Sequence, residues 1–138
     1  MASADVSSKW LIGQSPEAWV QWVLTDSSIV VEEFLSTEFQ HVSRLSDSLL
    51  RVRNRSDSFL VLTELQLRPD ARMPQRMRAY TALAEEKYRL SVYPVVFYLL
   101  PPGKGQTLPD HYHSKFRGLM AHQDFGSLPL ECWSCSEG

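Results

Sequence analysis

The sequence predicts an α/β domain, a mixed central sheet flanked by helices, in the order helix, β, β, β, helix, β. Three observations lead there. The apolar stretches Asp47–Arg53 and Phe59–Gln66 enclose the turn-forming Asn54-Arg55-Ser56-Asp57 and so read as a β-hairpin. Between Met73 and Arg89, Met77, Tyr80, Ala84 and Tyr88 recur at helical spacing, with Gln75, Arg78, Glu85 and Arg89 on the other side. Val92–Leu100 is an almost uncharged run, as expected of a strand covered on both faces.

Taken in chain order, residues 1–14 are expected to form a flexible N-terminus. Ser15-Pro16-Glu17 reads as a helix start, with Ser15 as N-cap and Pro16 at the first helical position. Trp19, Trp22 and Val23 give that helix an apolar stripe. Ile29–Leu35 reads as a second short helix or turn, and Glu38–Arg44 as a strand. Pro74 suits the first turn of the long helix, and Glu85 with Arg89 forms an i,i+4 pair at its end. Pro94 belongs near the start of its strand or at an irregularity, and Pro101-Pro102-Gly103 ends that strand. From Lys104 no period stands out. One domain is expected over 15–125, with 126–138 as an atypical, truncated or disordered tail.

The chain has 138 residues and a net charge of −2, so the overall balance points to no polyanionic partner. The charge is unevenly spread. Residues 44–78 hold eight arginines against four acids, a balance of +4 that leaves −6 for the rest. Arg44, Arg72 and Arg76 are the members of this footprint expected to meet phosphates, because the planar guanidinium suits them. Met1–Lys9 has no apolar core of a signal peptide, and Val92–Pro102 falls short of the roughly 20 residues of a membrane helix. A cytoplasmic location and no membrane partner are therefore expected. Only three residues follow Cys132-Trp133-Ser134-Cys135, too few for a redox helix, and a zinc site needs two more ligands, for which His111, His113 and His122 are only loosely available; two free thiols in a disordered tail are expected.

The hairpin carries the chemical expectation. With its turn centred between Arg55 and Ser56, paired residue numbers sum to 111. Asp47 then opposes Glu64, Leu49 opposes Leu62, Leu50 meets Val61 and Val52 meets Phe59. Two opposed carboxylates repel, and a divalent cation with a taste for oxygen relieves the conflict. Gln66 points to the same face as Glu64. His111-Tyr112-His113 reads as surface, and Gly103-Lys104-Gly105 lacks the helix and spacing of a phosphate loop.

The run Ser46-Asp47-Ser48-Leu49-Leu50-Arg51-Val52, followed by Phe59-Leu60-Val61-Leu62-Thr63-Glu64-Leu65-Gln66, resembles the active-site hairpin of the PD-(D/E)XK nuclease superfamily. With Met73-Pro74-Gln75-Arg76-Met77-Arg78-Ala79-Tyr80 and Val92–Leu99, it is similar to the Rpn-type recombination-promoting nucleases and transposase-like proteins abundant in cyanobacteria, over roughly residues 15–120. The resemblance implies a restriction-endonuclease-like αβββαβ core and a Mg²⁺- or Mn²⁺-dependent DNA endonuclease, linked to recombination or transposition. It implies Asp47 and Glu64 as metal ligands and Gln66 in the place of the superfamily lysine. A further helix acid is expected from Glu38, Glu33 or Glu32, with Glu38 preferred. DNA is the implied partner, and a homo-oligomer, a dimer first, the implied assembly. The alternative is a catalytically inactive module of the same fold acting in DNA binding or protein assembly.

Overall fold

The computed structural model describes residues 12–35, 38–39, 42–45 and 48–129. Its elements are α1 (Pro16–Leu24), β1 (Val30–Phe34), β2 (Glu38–Phe39), β3 (Val42–Leu45), β4 (Ser48–Arg53), β5 (Ser58–Gln66), α2 (Met73–Tyr88), β6 (Val92–Tyr98), β7 (His111–Phe116), β8 (Leu119–Asp124) and β9 (Gly126–Pro129). Five strands form a mixed sheet in the order β1-β4-β5-β6-β9. The β1/β4 and β4/β5 pairs are antiparallel, whereas β5/β6 and β6/β9 are parallel. β2 with β3 and β7 with β8 form two separate ribbons.

The helices cover opposite faces of this sheet. Trp19 and Val20 of α1 share one core cluster with Leu50, Val52, Val61, Leu65, Val95 and Phe97. Met73, Met77, Tyr80 and Ala84 of α2 share the other with Leu49, Leu60, Leu62, Val96 and Tyr98. The period of the α2 stripe is thus the expected one, and Gln75, Arg78, Glu85 and Arg89 are exposed. The end of α2 is closed by main chain: Arg89 adopts φ +56° and its N–H donates to the Glu85 carbonyl at 2.9 Å.

The β4–β5 hairpin has the register read from its turn. Leu49 pairs with Leu62, Leu50 with Val61 and Val52 with Phe59. Asn54 builds the turn by accepting the N–H groups of Ser56 at 3.1 Å and Asp57 at 2.9 Å on its Oδ1. Pro94 lies third in β6. Leu60 N–H donates to Ser91 O and Leu99 N–H to Gln66 O. Alternation then aims the Pro94 nitrogen toward β9, whose pairing starts only at Val95 with Gly126, so no ladder bond is lost. Gly126 permits that close approach, since a Cβ there would lie 3.3 Å from Val95 Cγ2.

Five expectations are corrected. Residues 30–34 are a strand, not a helix or turn. β-Branched Val30 and Val31 suit an extended chain, and a bulge between Val31 and Glu33 lets Glu32 reach Arg53 at 3.0 Å and Glu33 reach Arg51 at 3.6 Å. Glu38–Arg44 is not one strand, because β2 and β3 pair with each other. Past Lys104 stands a hairpin, β7–β8, whose two-residue loop holds Arg117 at φ +53° and Gly118 at φ +84°, the signature of a type I′ turn. Residues 126–129, expected in the tail, form β9 on the sheet edge, anchored by Phe125, which is buried in the α2-side cluster. Ile12 is also buried against the α1 side, inside the stretch expected to be flexible. The expectations for residues 1–11 and 130–138, Cys132 and Cys135 included, lie outside the described residues. Among the described residues no helix is long and apolar enough to cross a membrane.

Leu62 is fully buried at the centre of the sheet beneath α2. Leu62→Ala is expected to lower the unfolding free energy by about 2–5 kcal/mol, read from urea denaturation. A loss under about 1 kcal/mol would place the α2-side core elsewhere.

Candidate functional site

Strand β5 alternates its side chains between the two helices. The Trp19 indole N–H donates to Thr63 Oγ1 at 3.3 Å, and its ring meets Phe97 edge-on at 4.7 Å. Thr63 therefore faces α1, and Leu62, Glu64 and Gln66 face α2. Glu64 is only 3% exposed. Its neighbour across β6 is Val96, and that of Gln66 is Tyr98. A carboxylate at that depth stays ionised only among opposite charges or hydrogen-bond donors. Gln66, half-buried at the strand end, adds an amide two residues on along the same face.

The β4 pairing with β5 is described as far as Ser48 opposite Thr63. Asp47 lies outside the described residues. Glu38 has its main chain in β2, opposite Leu45, and Arg44 lies in β3; the side chains of both are outside the described residues. Glu32 and Glu33 do not come from a helix and do not approach Glu64. Glu33 is level with Arg51, which is level with Leu60. That is four residues from Glu64, about 13 Å along the sheet. Their salt bridges to Arg53 and Arg51 commit them elsewhere. Among the described residues no group of three or more His, Cys, Asp and Glu side chains is disposed to hold a metal ion.

The arginine footprint divides. Arg51 and Arg53 are bound to Glu33 and Glu32. Arg78 turns to β7, where Nη1 donates to Tyr112 Oη at 3.2 Å and the guanidinium lies 4.9 Å from the ring centroid. Arg72 grips Asp70 with two side-chain bonds, Nε to Oδ1 at 3.4 Å and Nη2 to Oδ2 at 3.2 Å, and its main-chain N–H donates to Oδ1 at 2.9 Å. These bonds from Arg72 hold the Asp70 carboxyl below its usual range and push the Arg72 guanidinium up. Arg76, one turn into α2 and half-buried, adds a weaker pull on the same carboxylate. Asp70, Arg72 and Arg76 thus lie together where β5 passes into α2.

Sequence reasoning missed Asp70 and Tyr98 here. Asp70 stands two residues before Arg72, the spacing of a side-chain-closed turn, which is a legible signal. Tyr98 was one apolar residue in an apolar run. It is fully buried, and burial pushes its hydroxyl above the ordinary phenol value, with Ser127 acting in the opposite direction. A raised folded-state value means that the neutral phenol supports the fold below the unfolded value near 10, and that this support is lost as pH rises through the folded value. Tyr98→Phe is therefore expected to flatten the fall in melting temperature above about pH 10. An unchanged alkaline limb would show that another group controls it.

Comparison of the chain with protein-family models, with curated proteins and with solved structures gives no match.

Proposed function

We propose that the chain is a divalent-metal-dependent DNA endonuclease that hydrolyses phosphodiester bonds in recombination or transposition. The observation that carries this reading is the β4–β5 register. Pairs summing to 111 run without a break from Arg53 with Ser58 to Ser48 with Thr63, one position short of Asp47 with Glu64. The topology is compatible with it: α1, the antiparallel strands β1, β4 and β5, helix α2 and the parallel strand β6 follow in the order expected of an αβββαβ core, with the β2–β3 ribbon inserted between β1 and β4.

Glu64 and Gln66 offer hard oxygen donors on one face, which is the donor chemistry of Mg²⁺ or Mn²⁺. Asp47 and Glu64 hold the cation in this reading. A cation held there would supply Lewis acidity toward a water and the scissile phosphate. Gln66 cannot carry charge or act as a base, so its amide positions the water or the phosphate. Arg76 and Arg72 hold the DNA backbone at the start of α2, with Arg44 as a further contact, and Asp70 competes with phosphate for Arg72. A dimer would present two such sites to the two strands.

Two observations favour the second reading, an inactive module in DNA binding or assembly. Gln66 stands where the resemblance implies a lysine, and Arg51, Arg53 and Arg72 are already bound to carboxylates.

Metal separates the readings. Mg²⁺ or Mn²⁺ at 100 times its dissociation constant is expected to stabilise the protein by about 2.7 kcal/mol. Asp47→Asn and Glu64→Gln are each expected to remove most of that gain and to stop plasmid cleavage while DNA binding survives. A melting temperature indifferent to both metals, with no cleavage, would leave the inactive module.

Salt dependence tests the phosphate contacts. Arg76→Ala is expected to weaken DNA binding at every sequence and reduce the salt slope by about 1. Arg72→Ala should do less, and Asp70→Asn should raise affinity by releasing Arg72. Equal affinities and slopes in all three variants would move the DNA surface off the start of α2.

A further inference from the structure

We propose that the tip of the β7–β8 hairpin is a wedge that enters the minor groove of duplex DNA and unstacks a base step, with Phe116 and Leu119 as the inserting side chains. This rests on the reading of the chain as a DNA-binding protein, active or inactive, and does not require cleavage.

The ribbon outruns the helix that supports it. At its base Tyr112 meets Arg78 of α2. On the same face, two residues on, Ser114 and its partner Ala121 are half-buried. Phe116 and Leu119 are the next pair on that face, about 13 Å beyond Tyr112 along the strand. There the cover ends: Phe116 is 73% exposed, Leu119 77% and Met120 67%. Apolar side chains scattered singly over a surface are ordinary, but three gathered on one tip mark a surface that a partner covers.

Charge and shape identify the partner. Residues 114–121 contain Lys115 and Arg117 and no acid, in a chain of net charge −2, so this tip suits a polyanion. The apex itself is Arg117-Gly118, so a cation leads and the apolar pair follows. The Arg117 guanidinium lies 5.8 Å from the Phe116 ring centroid, and Gly118 adds no side chain to the apex. A bilayer would have to take that guanidinium deepest of all, where a charge is costly. The minor groove attracts it instead, and Phe, Leu and Met are side chains that wedge between bases there. A second copy of the chain fits poorly, because three side chains on a two-residue tip fall short of the roughly 1,000 Å² that a stable contact between chains needs. The ribbon's anchor, Arg78, stands two residues after Arg76, so one helix carries both the wedge and the proposed phosphate contact.

Opening a base step costs stacking, so the wedge favours a step that is already weakened, such as a mismatch. The test uses the full chain in EDTA, which keeps cutting out of the measurement. The probes are duplexes of about 20 base pairs with 2-aminopurine beside the central step, either fully paired or mismatched there. Wild-type protein is expected to raise 2-aminopurine emission on binding and to hold the mismatched duplex about tenfold tighter. The double variant Phe116→Ser, Leu119→Ser should keep the melting temperature and the salt slope but lose both the emission rise and the preference. Phe116→Leu should retain both, and Arg76→Ala should weaken binding to the two duplexes alike. Wild-type binding with no emission rise and no preference overturns the wedge and leaves the DNA-binding reading standing; this readout needs no variant to fold. Emission and preference unchanged in the double variant overturn it as well. No binding of either duplex up to about 1 mM removes the reading itself, and the wedge with it. Wild-type binding to phosphatidylserine vesicles that the double variant loses would assign the tip to a membrane surface and overturn the proposal.

Discussion

Strand β5 is clamped between two helices by side chains that alternate along it, and the rest of the molecule takes its coordinates from that clamp. Leu60 and Leu62 meet α2, while Val61 and Leu65 join Trp19 of α1. A slip of one residue would exchange these faces, driving Glu64 under Trp19 and exposing Thr63 to the methionines of α2. The Trp19–Thr63 hydrogen bond belongs to one register only and helps to exclude the other. β5 also carries the change from antiparallel to parallel pairing, so the crossover helix α2 starts where the strand ends. That connection brings Glu64, Gln66, Asp70 and the first turn of α2 to one corner.

The arginines of residues 44–78 show how little a count of basic residues says about a surface. The stretch 44–78 has a local balance of +4. Arg51 and Arg53 nonetheless spend their guanidinium groups on β1, and Arg78 lies over Tyr112. Exposed ion pairs of this sort contribute about 0–1 kcal/mol each, so their main effect is to fix where the cations point. The exposed Arg72–Asp70 pair likewise fixes where its guanidinium points. Arg76 stands one turn into α2, half-buried, and also faces the Asp70 carboxylate.

The β7–β8 ribbon is held to this frame at few points. Two strands alone are marginal in water, so the ribbon depends on α2 and on Phe125 at its base. Phe125 N–H donates to Asp110 O at 3.0 Å, closing the base, and Tyr112 reaches Arg78 across the gap. Its tip exposes Phe116, Leu119 and Met120, with the Arg117 guanidinium 5.8 Å from the Phe116 ring centroid. Its outer face gathers three histidines and two aspartates. Polar chemistry is thus concentrated on an element that contributes least to the core.

What the sequence determined by itself was local. Turn chemistry at Asn54–Asp57 set the β4–β5 register, and the spacing of Met77, Tyr80 and Ala84 set the buried face of α2. Both follow from neighbours a few residues apart, where period and turn type leave one solution. The strand at 30–34 was not legible, because Val-Val-Glu-Glu-Phe becomes a strand only once Arg51 and Arg53 stand opposite its acids. The same pairing removed Glu32 and Glu33 from the candidate site. The β7–β8 hairpin turns on Arg117, a residue without the usual turn preference, held at positive φ by the strands on either side. Strand β9 has four residues and no period of its own; the open edge of β6 and the small Gly126 beside Val95 decided its place. Tertiary structure alone also brought His122 beside His111 and His113, since these contacts join residues that no local pattern connects.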